Sequence, residues 1–283
     1  MTLRAAIGAW LLYRSRMADL QLVAPSTLAN QTAIGNVLTV GLGHFQLDAL
    51  RKSDIDLWAG ERLQTHAPVT VRAEVNVLRQ ILNWCVDESM LGARPRLPTI
   101  QVPTTEQALP SEEAFLWALR SVPANHQAAL EFLMLTGLSP HEAERLQVRD
   151  WKAPGQVGIG MRSDFRVKTP SRRRFVPLNE RAQQLWETMT AGLRPLSPVL
   201  PKGGAMQKAL VRARKADPSA PADALRITPK MMRQWFASHV ADDHPEHVLQ
   251  RLLGHAPGSK ITRQHYVRSS DDALVGAVAG VRA

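Results

Sequence analysis

The residues best equipped for chemistry in this chain lie between Arg233 and Tyr266. They fall in three segments: Arg233-Gln234-Trp235-Phe236-Ala237-Ser238-His239, Leu252-Leu253-Gly254-His255, and Thr262-Arg263-Gln264-His265-Tyr266. Arginine carries a permanent charge on a planar donor fork that matches a phosphate. Histidine gives or takes a proton near neutral pH. Tyrosine offers a phenolic oxygen that can become a covalent nucleophile. Arg233, His255 and Tyr266 follow in that order, each beside apolar residues at helical spacing. Together they suit attack on a phosphodiester. Tyr266 alone would be an ordinary tyrosine, and the ordered set carries the reading.

A second group of cations runs from Arg162 to Arg174. It holds Arg162, Arg166, Lys168, Arg172, Arg173 and Arg174, six in thirteen residues. That density suits phosphate contacts better than a merely solvated loop. The formal net charge is +10, and it is unevenly spread. Residues 1–107 hold 10 Lys+Arg against 9 Asp+Glu, while the remaining 176 residues hold 25 against 16. A basic second part points to a polyanion partner.

Other classes are disfavoured. The chain is 45% hydrophobic, too apolar for disorder. It has no run of eighteen apolar residues, so no membrane partner is expected. Met17-Ala18-Asp19 and the residues behind it lack a cleavage pattern, so no secretory signal is expected. Cys85 is the only cysteine, which excludes an internal disulfide and argues against a zinc site. A cytoplasmic location on the nucleoid follows as the expectation.

The elements that must position these residues are mostly helical. Leu3, Ile7, Trp10, Leu11, Met17 and Leu20 recur at helical spacing. Pro25-Ser26-Thr27, Lys52-Ser53-Asp54 and Pro68-Val69-Thr70 each read as a helix start. Ile55, Leu57 and Trp58 are expected on one face, and Val71 to Val86 forms the longest helix. Four or five helices therefore fill the first hundred residues. Arg94-Pro95-Arg96-Leu97-Pro98 to Val102-Pro103 reads as an extended linker, whose two arginines can touch phosphate. This divides the chain into residues 1–103 and 104–283. In the second part Ser111-Glu112-Glu113 starts a helix, Ala128–Leu135 is an apolar helix, and Asn179 caps another. Thr228-Pro229 opens the helix of Arg233. The β region lies within Val157–Leu178. It comprises Val157–Met161, Phe165–Lys168 and Arg174–Leu178, with a turn at Thr169-Pro170-Ser171.

With these residues in view, the chain resembles the tyrosine recombinases, the phage integrase family. Leu253-Gly254-His255 matches their Leu-Gly-His without change, and Arg233 matches the arginine of their His-x-Leu-Arg-His segment. Val176-Pro177-Leu178 matches the end of their β-hairpin. The resemblance implies a fold that is mainly α with a small β-sheet. A helical core-binding domain and a mixed α/β catalytic-type domain would form a DNA clamp. It implies that Tyr266 is the nucleophile, Arg233 clamps the phosphate, and Lys168 protonates the leaving oxygen. His255 would bond the phosphate or assist proton transfer. Lys230 stands where the family often has histidine, three residues before Arg233 and on its helix face. No metal or nucleotide cofactor is implied. Family members act as tetramers and often pass the C-terminal tail to a neighbour, a role open to Asp271–Ala283. A partner recombinase supplying missing groups is also compatible with the resemblance.

One motif departs. The family reads Thr-Gly-Leu-Arg, then Glu three residues on. This chain reads Thr136-Gly137-Leu138-Ser139-Pro140-His141-Glu142, with Ser139 at the arginine position. Ser139 and Glu142 form a capping box with proline at the first helical position. Two readings follow. One is an integrase-type recombinase whose cleavage through Tyr266 is weakened. The other is a recombinase-derived regulator or architectural protein that binds DNA without catalysis.

Overall fold

The computed structural model describes residues 1–103, 109–167 and 169–259. The chain divides into two compact units, Met1–Glu106 and Gln107–Ala283.

The first unit holds four helices: α1 (Leu3–Asp19), α2 (Pro25–Leu42), α3 (Lys52–Thr65) and α4 (Pro68–Asp87). Proline occupies the first turn of α2 and α4, where its missing N–H costs no helical bond. The Arg51 N–H donates to Asp54 at 2.8 Å and closes the start of α3. Leu3, Ile7, Trp10, Leu38, Ile55, Leu78 and Ile81 fill one apolar core, with Cys85 buried in it. Two expected core residues face outward, Leu20 and Leu57. Leu57 lies ~200° around α3 from Ile55, so both cannot face the core. Gly41 lies in the last turn of α2. A Cβ there would stand 2.3 Å from the Trp58 indole nitrogen, so the glycine lets α3 approach. Buried Gln31 accepts from Arg14 at 3.0 Å and donates to Gln80 at 3.1 Å, joining α1, α2 and α4. Residues 91–103 contain no helix or strand, and Leu97 and Ile100 pack back onto this core.

The second unit opens with α5 (Glu112–Arg120), α6 (Ala124–Thr136) and α7 (Pro140–Ala143). Next come β1 (Trp151–Lys152), β2 (Gln156–Ile159) and β3 (Arg174–Pro177). Then follow α8 (Glu180–Thr190), α9 (Gly203–Ala216), α10 (Pro229–Asp243) and α11 (Glu246–Leu253). Ser111 and Asn179 cap α5 and α8 through their side chains, as their sequence signals imply. Thr228 precedes α10 without a side-chain cap bond. The sheet among the described residues is antiparallel in the order β1-β2-β3, with Val157 opposite Val176 and Ile159 opposite Arg174. Phe115, Phe132, Leu133, Val157, Ile159, Val176 and Met232 share its core.

The described part of Phe165–Lys168 is not a strand. Phe165 is buried, with the Arg145 and Arg162 guanidiniums over its ring at 5.4 and 5.3 Å. The segment's single apolar anchor therefore serves a cation–π sandwich, not a ladder. β2 pairs directly with β3, and the described residues of 160–173 arch between them. Among the described residues no helix is long and apolar enough to cross a membrane.

Gly137 ends α6 at φ 64°, and a Cβ there would stand 2.3 Å from the Phe236 ring. Gly137→Ala is expected to lower stability by more than ~1 kcal/mol. Gly204→Ala, in an exposed helical turn with open space, should be neutral or stabilising by up to ~1 kcal/mol. Urea unfolding midpoints compare the two.

Candidate functional site

The site is built around one buried carboxylate. Ser139 is the N-cap of α7. Its Oγ accepts the Glu142 N–H at 3.3 Å, while its own N–H and hydroxyl each reach Glu142 Oε2 at 3.0 Å. This is the capping box that the sequence implies. It leaves Glu142 only 3% exposed, and an ionised carboxylate so buried demands cations.

Three arginines answer. Arg174, the first residue of β3, donates from Nη1 to Glu142 Oε1 at 3.0 Å and from Nη2 to Oε2 at 3.4 Å. Its Nε donates to the Leu252 carbonyl at 2.7 Å. Arg233 on α10 donates from Nη1 to the Gly137 carbonyl at 2.8 Å and to Glu142 Oε2 at 3.3 Å. Its Nη2 donates to the Leu253 carbonyl at 2.6 Å. Arg172 forms a longer ion pair, 3.5 Å from Nη1 to Glu142 Oε1. Burial alone would raise the Glu142 carboxyl. The charges of Arg174 and Arg233, with bonds from Arg174 and Ser139, overcome that and hold it at about 2.

His255 completes the cluster. Gly254 closes α11 at φ 68°, where a Cβ would meet the Arg174 guanidinium at 2.7 Å and the Arg172 backbone at 3.0 Å. This glycine turns the chain so that His255 Nε2 lies 3.2 Å from Arg233 Nη2. Arginine has no acceptor, so Nε2 must accept, and the ring's proton sits on Nδ1. Burial, then the charges of Arg233, Arg172 and Arg174, push the His255 pKa down to about 4, against a smaller opposing effect of Glu142. The imidazole is therefore neutral at pH 7. A second proton could enter only at Nε2, in place of the bond from Arg233.

The late-motif residues Arg233 and His255 are thus brought together, with Ser139 bound to the same carboxylate. Lys168 and Tyr266 lie outside the described residues, as does the tail Asp271–Ala283. Lys230 sits exposed in the first turn of α10 and is not drawn into the cluster.

Two of the expected DNA-binding arginines have partners inside the unit. Arg174 is 7% exposed and holds Glu142. Arg162 bonds Asp150 at 2.6 Å, Asp164 at 2.6 Å and the Arg145 carbonyl at 2.9 Å, with its side chain 15% exposed. Both are held by acceptors inside the unit. Arg166 and Arg173 are exposed, and so are Arg94 and Arg96 in the first unit. His141 pairs with Glu144 at 2.9 Å, and Arg145 bonds the Arg166 carbonyl, so neither turns toward Glu142. Among the described residues no group of three His, Cys, Asp or Glu converges to hold a metal ion. The sequence reading took Glu142 only as half of a cap. The signal it missed was a carboxylate next to a run of arginines that the fold folds back over it.

No family model matches the sequence, and no curated protein does. Solved structures do match in fold. A Tn1549 transposon integrase in complex with circular intermediate DNA is 17% identical at a TM-score of 0.69, over 98% of this chain and 99% of that one. A lambda integrase dimer bound to a COC′ core site is 13% identical at 0.73, over 94% and 96%. A lambda integrase tetramer bound to a Holliday junction is 14% identical at 0.72, over 92% and 79%. The chain shares the fold of these integrase structures, mainly helical with a small antiparallel sheet among the described residues.

Two outcomes follow for stability. Glu142→Gln leaves Arg174 and Arg233 buried without an anion, and should cost ~3–5 kcal/mol in urea unfolding. His255 has a folded pKa of about 4 against an ordinary 6.5. The unfolded chain takes up its proton first, so this contribution is full above pH 6.5 and is lost as pH falls toward 4. Stability of the parent should therefore drop more steeply across that window than stability of His255→Gln, by midpoints measured at each pH.

Proposed function

We propose that this protein binds specific duplex DNA as an integrase-type recombinase. In this reading residues 1–103 form the core-binding domain and residues 104–283 the catalytic-type domain. Tyr266 would attack the phosphodiester and form a 3′-phosphotyrosine link, conserving the bond energy without a cofactor. Lys168 would protonate the leaving 5′ oxygen, with Lys230 a second donor at the site's rim. Neutral His255 would accept the Tyr266 proton or bond the phosphate, and Arg233 would stabilise its developing charge. Arg166, Arg173, Arg94 and Arg96 would contact the flanking backbone.

The observation that carries this reading is the meeting of Arg233, Arg172 and Arg174 at Glu142 beside a neutral His255. The integrases of similar fold were captured on DNA, one as a dimer and one as a tetramer. That supports duplex DNA as the ligand and assembly of several copies on it, through the tail or with a partner recombinase.

Ser139 weakens catalysis in this account. It supplies a cap where the family supplies a cation, and loss of one preorganised donor costs ~10²–10³ in rate. A second reading, a DNA-binding regulator without strand exchange, draws on the engagement of Arg233 with protein carbonyls and Glu142.

A nicked suicide duplex separates the two. The first reading expects a covalent adduct that Tyr266→Phe abolishes and Ser139→Arg increases, at a stability cost of ~0.5–2 kcal/mol from the lost cap. No adduct from either protein on a duplex that it binds would favour the regulator. Under both readings duplex affinity should fall ~10³-fold or more between 50 and 200 mM salt. A flat salt response would remove DNA binding altogether.

A further inference from the structure

The cluster around Glu142 is not electrically balanced. Among the described residues three guanidiniums meet one carboxylate, and the adjacent imidazole is neutral. Two positive charges are left over in a largely buried setting, where such an excess attracts an anion. The three arginines differ in how much of their donor capacity is used. Arg174 has a side chain 6% exposed, and each of its three nitrogens bonds a protein acceptor. Arg233 is 3% exposed, and both its Nη atoms are engaged. Arg172 is different. Its side chain is 28% exposed, and its guanidinium makes one contact with the described residues, the ion pair at 3.5 Å. That distance is too long for a strong hydrogen bond.

The backbone also fixes Arg172 in place. Pro170–Arg172 form a 3₁₀ turn, closed by Arg172 N–H to the Thr169 carbonyl and Arg173 N–H to the Pro170 carbonyl, both at 3.0 Å. The Arg172 carbonyl accepts from Arg174 Nη1 at 3.1 Å, and its Cα approaches Gly254 closely. The residue is thus held at the mouth of the cluster, next to the glycine that aims His255.

We propose that Arg172 is the phosphate-binding cation of this site, supplying from the β2–β3 connection the charge that Ser139 does not. Its planar fork would take two oxygens of one phosphoryl group, with His255 beside it. Glu142 then serves as the shared base on which Arg172 rests until an anion replaces that weak pair. This assigns Arg172 to the reacting phosphate and not to the flanking backbone. It rests on the reading that the site meets a DNA phosphate, and it names the residue that makes cleavage possible with serine at position 139. Arg145 and His141 are excluded from that role by their other partners.

The test uses inorganic phosphate as the probe and the ring signals of His255 in NMR as the readout, on the full chain. In the parent, added phosphate should shift His255 and raise its pKa. Arg172→Ala should weaken phosphate at least tenfold, and Arg172→Lys should recover part of the loss. Lys215→Ala, which removes an exposed charge on α9, should leave the affinity unchanged. Without phosphate, Arg172→Ala should itself raise the His255 pKa, because a nearby cation is gone; this shows that the variant is folded with its site intact. Equal phosphate affinity in parent and Arg172→Ala overturns the assignment, and so does a parent whose His255 ignores phosphate. Duplex binding is scored separately. A parent that holds phosphate through Arg172 but ignores duplex would keep the anion site and overturn the DNA reading.

Discussion

The burial of Glu142 is the constraint on which the second unit depends. An ionised carboxylate that is 3% exposed can stay charged only if donors and cations surround it. The chain meets that demand with groups from four places. Ser139 gives two donors from the start of α7, Arg174 comes from β3, Arg233 from α10, and Arg172 from the arch between β2 and β3. Through Arg174 and Arg233 the demand reaches α11, whose Leu252 and Leu253 carbonyls accept from them. Those carbonyls lie at a helix C-terminus, where the backbone leaves acceptors unpaired and cations are favoured. One acidic side chain thus fixes the ends of α6, α7, α11 and β3 relative to α10.

The same arrangement sets the electrostatics of His255. Its ring sits among the cations that Glu142 gathered, so it loses its proton well above the pH where Glu142 would gain one. A neutral imidazole beside surplus positive charge is suited to an incoming anion. It can accept a proton only once that anion has offset the arginines. In the proposed reading, proton affinity at this site is coupled to phosphate, which is the coupling a general base or acid needs at the moment of reaction.

Much of the scaffold was legible in the sequence because its signals are local. Ser111, Ser139 and Asn179 cap helices three residues away, and the prolines at 25, 68 and 140 mark first turns. Gly254 and His255 were legible as a motif. What the sequence hid was pairing over distance. Arg162 meets Asp150 twelve residues away, and Arg174 meets Glu142 thirty-two residues away, so a run of cations read as phosphate contacts is partly internal. The supposed strand at Phe165 failed for the same reason. Alternation records which side chains are buried, and here the burial is under two guanidiniums rather than across a ladder.

The central claim is that a DNA phosphate enters the cluster beside His255. Calorimetry of duplex binding at pH 5, in two buffers of different ionisation enthalpy, tests it most directly. At that pH the free imidazole is mostly neutral, its pKa being about 4. A phosphate arriving beside it raises that value and draws in a proton. The account predicts an observed enthalpy that differs between the buffers by the ionisation heat of the proton taken up, and a difference that disappears in His255→Gln. Duplex binding with the same enthalpy in both buffers would mean that the phosphate does not reach this site.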